Sequence, residues 1–74
     1  MDVQEIIVEA GSACDRKRVR EVIWPQNAVI ASLRRRDQML IARGDTVLLA
    51  GDILMLIADD AAVSEIQRIT KGPA

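Results

Sequence analysis

The sequence predicts a small α+β domain in which one layer of largely antiparallel sheet is flanked by two helices, in the order strand, helix, strand, strand, strand, helix. Three observations lead to this prediction. Short aliphatic runs have the length of strands, apolar residues recur at helical spacing near each end of the chain, and two Gly-Asp pairs punctuate the second half. Consecutive strands with helices at the flanks are typical of this fold class.

The first two predicted elements are a strand and a helix. The strand covers Val3–Glu9, because β-branched residues dominate that run before a Gly-Ser break. The helix is predicted from Ser12 onward. Ser12 and Asp15 have the spacing of a capping box, and the apolar residues that follow recur at helical intervals. Pro25 marks the end of this helix, because a proline disfavours helical geometry in the residue before it.

The next three elements are strands. Ala28–Leu33 and Met39–Ala42 are predicted to pair as a hairpin around a turn at Arg35–Asp37. The last strand is Ile53–Ala58, a run in which every residue is apolar. This run is expected to be buried.

Two Gly-Asp pairs, Gly44-Asp45 and Gly51-Asp52, lie seven residues apart and each precedes an aliphatic stretch. A period of seven is too short for a solenoid repeat. Glycine adopts positive φ at little cost and aspartate accepts hydrogen bonds from nearby backbone N–H groups. We therefore predict a chain turn at each pair.

The final helix follows the last strand. Asp59 and Asp60 are suited to its N-terminus, both as a cap and by charge. The stop signals Lys71, Gly72 and Pro73 come after it. One apolar face of this helix is predicted to contain Val63, Ile66 and Ile69.

Composition restricts the chemistry of this chain. Its 74 residues include no histidine and one cysteine, Cys14, so neither an imidazole base nor a disulfide is available. The usual zinc sites also need histidine or several cysteines. We therefore expect no catalytic residue, no metal site and no cofactor, and we expect Cys14 to be a small, half-buried hydrophobic residue.

Size and hydropathy predict one cytosolic domain that pairs with a second copy. The domain spans residues 1–74, with a core at about residues 3–70 and a tail at 71–74. Half of the residues are hydrophobic, and a chain this short builds only a thin core that leaves apolar surface uncovered. No apolar run reaches the roughly 18 to 20 residues of a membrane helix. The first ten residues are acidic and lack the basic start of a signal peptide.

Positive charge is concentrated in the middle of the chain, where residues 15–43 hold eight Lys or Arg and three Asp or Glu. Solvated surface charge is the simplest interpretation. An anion or a protein partner would be contacted by Arg16, Lys17, Arg35 and Arg36. Nucleic-acid binding is disfavoured, because Trp24 is the only aromatic residue available for base stacking.

Several stretches carry a family resemblance, and the most distinctive is Gly-Asp-Thr-Val-Leu followed by a second Gly-Asp. Over about residues 3–69 the chain resembles the TrkA C-terminal domain, also called the RCK C-terminal subdomain. Members of this family often carry glycine where this chain has Arg16 and Arg36. The matching stretches are Lys17–Val22, Trp24-Pro25, Val29–Arg35 and Leu40–Leu54.

The resemblance implies a regulatory module that pairs with a second copy on the cytoplasmic face of a membrane-embedded transporter or channel. Potassium and other cation transporters carry such modules. The Trp24-Pro25 pair that ends the predicted helix is most similar to versions attached to chloride-channel-type proteins. A small ligand is implied at or near the dimer interface. Its candidate contacts are Asn27, Ala28, Val29 and Arg34. Relatives that bind a cyclic dinucleotide use polar residues at the start of the second strand, where this chain has Ala28 and Val29.

Two alternative functions stay open at this point. A purely structural dimerisation domain would have the same composition and the same fold signals. A small dimeric nucleic-acid-binding module would use the two arginine clusters.

Overall fold

A computed structural model describes residues 2–73, which form one four-stranded antiparallel sheet, one α-helix and a short 3-10 helix at Val19–Glu21. The strand order across the sheet is β1-β4-β2-β3, so β1 and β3 are its edges. The predicted α+β class with an antiparallel sheet is confirmed. The other elements are β1 (Asp2–Ile7), β2 (Ala28–Arg35), β3 (Gln38–Ile41), β4 (Ile53–Ala58) and α1 (Asp60–Thr70).

Strand β4 organises the core, because it pairs with β1 on one side and with β2 on the other. Its alternate residues Leu54 and Leu56 are fully buried. Leu54 pairs with Ile6 of β1 on one side and with Leu33 of β2 on the other. A β-bulge at Ala31 shifts the register of β2 by one residue. The buried hydrophobic residues are Ile6, Val8, Cys14, Leu33, Leu48, Leu54, Leu56, Ala58, Ala62 and Ile66.

Helix α1 covers one face of the sheet and begins where the sequence predicts. The Asp59 carboxylate accepts a hydrogen bond from the Ala62 backbone N–H at 2.8 Å, which caps the N-terminus. Ile66 packs into the core with no exposed surface. The helix ends at Thr70, immediately before the predicted stop signals.

The predicted helix after Ser12 is wrong. Some of its backbone N–H groups bond three residues back, as Lys17 does to the Cys14 carbonyl at 3.2 Å. Others bond across the chain: the Arg16 N–H donates to the Leu48 carbonyl at 2.7 Å, and the Val19 N–H donates to the Thr46 carbonyl at 2.9 Å. Only one 3-10 turn remains. The local helical signal is overridden, because pairing with residues 44–48 satisfies the same backbone groups and buries Leu48.

The predicted capping box at Ser12 and Asp15 is also wrong. The Asp15 carboxylate accepts hydrogen bonds from the backbone N–H of Gly11, at 2.9 Å, and of Ala50, at 3.2 Å. Asp15 therefore connects the turn after β1 to the Gly-Asp corner before β4.

The two Gly-Asp pairs are not equivalent. Gly51 has φ of 92°, and the Asp52 carboxylate accepts the Leu49 backbone N–H at 2.8 Å, as predicted for a corner. Gly44 and Asp45 also lie in a turn, as predicted, but Gly44 has no positive φ. The first turn instead uses the Thr46 hydroxyl, which accepts the Arg43 backbone N–H at 3.0 Å.

Two arginines adopt left-handed backbone geometry: Arg16 has φ of 66° and Arg36 has φ of 57°. Arg36 is the first of the two residues that turn the β2–β3 hairpin, a position where positive φ is usually supplied by glycine. A residue with a Cβ atom is strained in this region by about 1–2 kcal/mol.

We expect Arg36→Gly to raise the free energy of unfolding by about 0.5–1 kcal/mol, because relief of left-handed strain exceeds the entropic cost of glycine. Urea denaturation measures the change. Asp37→Gly is the matched control, since Asp37 lies in the same turn without positive φ and should gain nothing. An equal gain at Asp37 would contradict the strain argument.

Candidate functional site

The more buried of the two ion pairs in residues 2–73 joins the end of β2 to the second Gly-Asp corner. Asp52 is 1% exposed, and its carboxylate accepts two hydrogen bonds from Arg35, from Nε at 2.9 Å and from Nη2 at 2.8 Å. Nη2 also donates to the Val47 carbonyl at 2.8 Å. Together with the Leu49 N–H, these bonds occupy both carboxylate oxygens.

This pair holds the end of β2 against the Gly51-Asp52 corner. The hydrogen bond to Asp52 raises the pKa of Arg35 above its ordinary value, an effect that partial desolvation opposes. Arginine is protonated throughout the physiological range in any case. The side-chain pairing was missing from the sequence analysis, where Asp52 was assigned to turn chemistry alone. The available signal was an aspartate directly before an entirely apolar strand, since a buried carboxylate needs a charged or hydrogen-bonding partner.

The predicted ligand contacts fall on two faces of the molecule. Val29 and Arg34 are exposed on the face of the sheet opposite α1, where each pairs with a residue of β4, Ile57 and Ile53. Ile57 and Ile53 are four positions apart along β4, so Val29 and Arg34 are separated by about 13 Å in the strand direction. Ala28 instead packs against the core. Val29 and Arg34 therefore share one face of the sheet, whereas Ala28 lies on the other face.

Asn27 lies beside the N-terminus of α1. Its backbone carbonyl accepts the Asp59 N–H at 3.3 Å. A shallow groove of about 280 Å³ is present here, lined by Pro25, Gln26, Asn27, Asp59, Ala61 and Ala62. Asn27 is thus adjacent to the start of β2 but opens onto a different surface from Val29.

The predicted anion or partner contacts also separate. Arg35 is engaged with Asp52, whereas Arg36 lines a groove of about 340 Å³ beside the residue 49–52 corner. Arg16 approaches the same loop through its backbone bond to Leu48. Lys17 lies elsewhere, in an apolar groove with Ile23. Arg36 and Lys17 therefore lie in different grooves, and Arg16 reaches the neighbouring residue Leu48 only through its backbone.

Cys14 and Trp24 both contact the interior of the domain. Cys14 has no exposed surface, and burial raises the pKa of its thiol above the ordinary 9.0 despite a hydrogen bond to Ser12. Trp24 packs against the core and donates from Nε1 to the Val19 carbonyl at 2.9 Å. Cys14 was predicted to be half-buried, and it is fully buried.

Residues 2–73 contain no helix long and apolar enough to cross a membrane. Within the same range, no cluster of three or more His, Cys, Asp or Glu is placed to hold a metal ion.

Comparison with known proteins identifies the family. The family model of the TrkA-C domain matches residues 3–71. The Trk system potassium uptake protein TrkA homolog of Archaeoglobus fulgidus is 37% identical over 73 residues. That alignment covers 99% of this chain and 17% of the relative, so the chain corresponds to a minor part of that protein.

A solved structure of an RCK domain with cda has the same fold. It superimposes with a TM-score of 0.84 at 18% identity, over 96% of this chain and 100% of that chain. The predicted family is confirmed, because the family model runs from the second residue of β1 through the end of α1. The chain belongs to the TrkA-C domain family, the RCK C-terminal type of domain.

Proposed function

We propose that the chain is a non-catalytic regulatory domain of a potassium-transport system, acting as a pair of copies on the cytoplasmic face of a membrane-embedded transporter. The observation that carries this proposal is the 37% identity to a potassium uptake protein over 73 residues. That relative favours potassium transport over the chloride-channel-type parent implied by the Trp24-Pro25 exit.

The geometry is suited to transmitting a change in shape. The Arg35–Asp52 pair fixes the hairpin end of β2 to the corner before β4, and Asp15 fixes the turn after β1 to the same corner. The sheet therefore moves as one body. A ligand that binds one arrangement of two such bodies more tightly than another shifts the equilibrium between them.

We place the ligand on the face of the sheet opposite α1, extending along β2 from Val29 toward Arg34, which supplies positive charge about 13 Å away; Asn27 opens onto a different surface. Val29 and Arg34 share one face, while the Asn27 backbone contacts the start of α1. Arg34 has no ion-pair partner among residues 2–73, so its guanidinium is available to an anionic group. Arg36, in the groove beside the residue 49–52 corner, is a second candidate contact for an anion.

Nucleic-acid binding is disfavoured by the placement of the basic residues. Arg35 is engaged with Asp52, Lys17 and Arg36 lie in different grooves, and Trp24 packs against the core. These basic and aromatic side chains therefore do not combine into a single stacking surface.

The test is a domain exchange in the Archaeoglobus fulgidus TrkA homolog, with this chain replacing the 73 matching residues. We expect potassium uptake to retain its regulation, and we expect a Leu54→Ala chimera to lose it because the exchanged domain no longer folds. Thermal unfolding of the isolated chain with nucleotides, cyclic dinucleotides and inorganic anions gives the second readout, since a ligand of the folded state raises the Tm.

Each outcome of the exchange has a defined meaning. Uptake that is the same with both chimeras would contradict a regulatory role. Regulated uptake without a Tm shift from any ligand would leave a structural dimerisation domain. A Tm shift that Arg34→Gln removes and Ile23→Ala preserves would support the ligand position, because Ile23 is 92% exposed in a groove away from that face.

A further inference from the structure

Strand β1 is an open edge of the sheet. It pairs with β4 along one side over all six of its residues, Asp2–Ile7, without a shift in register. Natural proteins protect sheet edges with short strands, bulges, proline or lysine. Strand β3, the other edge, has only four residues, whereas β1 carries none of these protective features. Strand β1 is therefore the edge of this sheet that is suited to pairing with a further strand.

The outward backbone groups of β1 are identified by the residue that follows it. The Val8 N–H donates to the Asp52 carbonyl and the Val8 carbonyl accepts the Gly51 N–H, both at 2.8 Å, so Val8 is bonded on the β4 side. Backbone groups alternate in direction along an antiparallel strand. The N–H and C=O groups that point away from β4 are therefore those of Val3, Glu5 and Ile7. Within residues 2–73 these groups have no hydrogen-bond partner.

The open length of this edge ends where helix α1 returns to the strand. There the Glu9 N–H donates to the Thr70 carbonyl at 2.8 Å. A groove of about 510 Å³ runs before that point, with Ile6 among its lining residues from β1 and Gln67 and Arg68 among those from α1. Six residues of strand span about 20 Å. The edge therefore has room for one extended segment of about six residues.

Charge along the open edge indicates what pairs with it. Residues 1–9 include three acidic residues and no basic one. Asp2 and Glu5 are exposed, and neither forms an ion pair with any residue of the described range 2–73. A second copy of β1, paired so that Val3 meets Ile7, would place Glu5 opposite Glu5, and like charges directly opposite each other are destabilising. A strand with lysine or arginine at that position would form an attractive pair instead.

We propose that β1 accepts a strand from a partner protein, paired antiparallel on its open edge, with a basic residue opposite Glu5 and apolar residues opposite Val3 and Ile7. Val3 and Ile7 are 67% and 53% exposed, and they lie with Glu5 on the face opposite α1, where they pair with Ile57 and Ile53. Main-chain hydrogen bonds supply the affinity of such a pairing, and the side chains supply its specificity.

The α1 side of the edge adds two further preferences. The partner residue opposite Ile6 enters the groove beside Arg68, which favours an acid at that position. The partner residue opposite Asp2 is favoured as a second base. The proposal goes beyond the proposed function and does not depend on it, because it assigns a partner to a strand edge that the ligand position on β2 does not use.

An NMR titration of the ¹⁵N-labelled chain with the capped hexapeptide Ile-Glu-Lys-Thr-Val-Lys tests this pairing. In that order the peptide places Ile, Lys and Val opposite Ile7, Glu5 and Val3. We expect a dissociation constant on the order of 10⁻⁴ M, because one short strand makes a contact much smaller than a standard protein interface. Amide shifts should be concentrated on residues 2–7. At saturating peptide, the outward amides of Val3, Glu5 and Ile7 should become protected from hydrogen exchange.

Two variants of the chain separate backbone pairing from charge. Val3→Pro should weaken binding by about tenfold or more and still fold, because proline is tolerated on an edge where the lost N–H faces solvent. Glu5→Lys should weaken binding by about fivefold or more, and a peptide with Glu in place of its first Lys should restore it to within about threefold. Circular dichroism shows whether each variant folds.

Asp37→Lys is the matched control, because it makes the same change of charge at an exposed residue of the β2–β3 turn and should leave the affinity unchanged. No binding at about 2 mM peptide, unchanged binding by a folded Val3→Pro variant, or equal binding of both peptides to the original chain would each overturn the proposal. Shifts at residues 2–7 that grow with chain concentration alone would also overturn it, since they would assign the edge to a second copy. Unregulated uptake in the domain exchange with intact peptide binding would overturn the proposed function alone.

Discussion

Replacing Asp52 by alanine is expected to lower the free energy of unfolding by about 3 kcal/mol, because it leaves Arg35 without its partner at a partly buried position. The substitution removes both hydrogen bonds from Arg35 and the one from the Leu49 N–H. The Arg35 side chain is 33% exposed, so water can solvate part of its charge once Asp52 is removed. The expected loss of stability is therefore at the low end of the range for breaking a buried ion pair.

Asp45→Ala is the matched control for Asp52→Ala, since it alters the other Gly-Asp pair. Asp45 is exposed and its carboxylate has no hydrogen-bond partner among residues 2–73, so its loss should change stability by less than about 0.5 kcal/mol. Urea denaturation at fixed protein concentration compares the two. Equal losses at the two positions would show that turn chemistry, and not the ion pair, accounts for the effect of Asp52→Ala.

Leu54→Ala is expected to cost about 3–4 kcal/mol, the range for removing a fully buried leucine from a core that cannot collapse around the gap. Leu54 has no exposed surface and lies between Ile6 of β1 and Leu33 of β2 on the covered face of the sheet. A domain of this size has little stability in reserve, so the variant should be largely unfolded at 37 °C.

Thermal unfolding followed by circular dichroism measures the effect of Leu54→Ala. Ile23→Ala removes comparable aliphatic surface from a position that is 92% exposed and should leave the Tm unchanged within error. A small loss at Leu54 would mean that the sheet face repacks, which would also weaken the case for a rigid module.

Local sequence signals predicted most of the sheet and one end of the chain. The run Ile53–Ala58 corresponds to β4 at both boundaries, because a short apolar segment between a Gly-Asp turn and two aspartates has few alternatives. The Asp59 cap located the start of α1 for a similar reason, since the cap and the helix are formed by neighbouring residues.

Long-range pairing explains the main failure. The segment after Ser12 has helical spacing, yet the N–H groups of Arg16, Val19 and Arg20 bond to residues 44–48, which are about 25 to 30 positions away in the sequence. No local pattern encodes a partner at that distance. The Arg35–Asp52 contact was missed for the same reason, because the two residues are 17 positions apart and are brought together only when β2 and β4 pair.

The features of the candidate site likewise depend in part on composition and local sequence and in part on long-range pairing. The sequence by itself contains no histidine and only one cysteine. Imidazole groups and a disulfide within the chain are therefore absent. Sequence also determined the fold class and the family resemblance, because strand length, turn residues and caps are local. Only the tertiary structure decided that Arg35 is engaged with Asp52, that Val29 and Arg34 share a face, and that this face is uncovered. The physical reason is that burial and ion pairing depend on strand register, which is fixed when all four strands assemble.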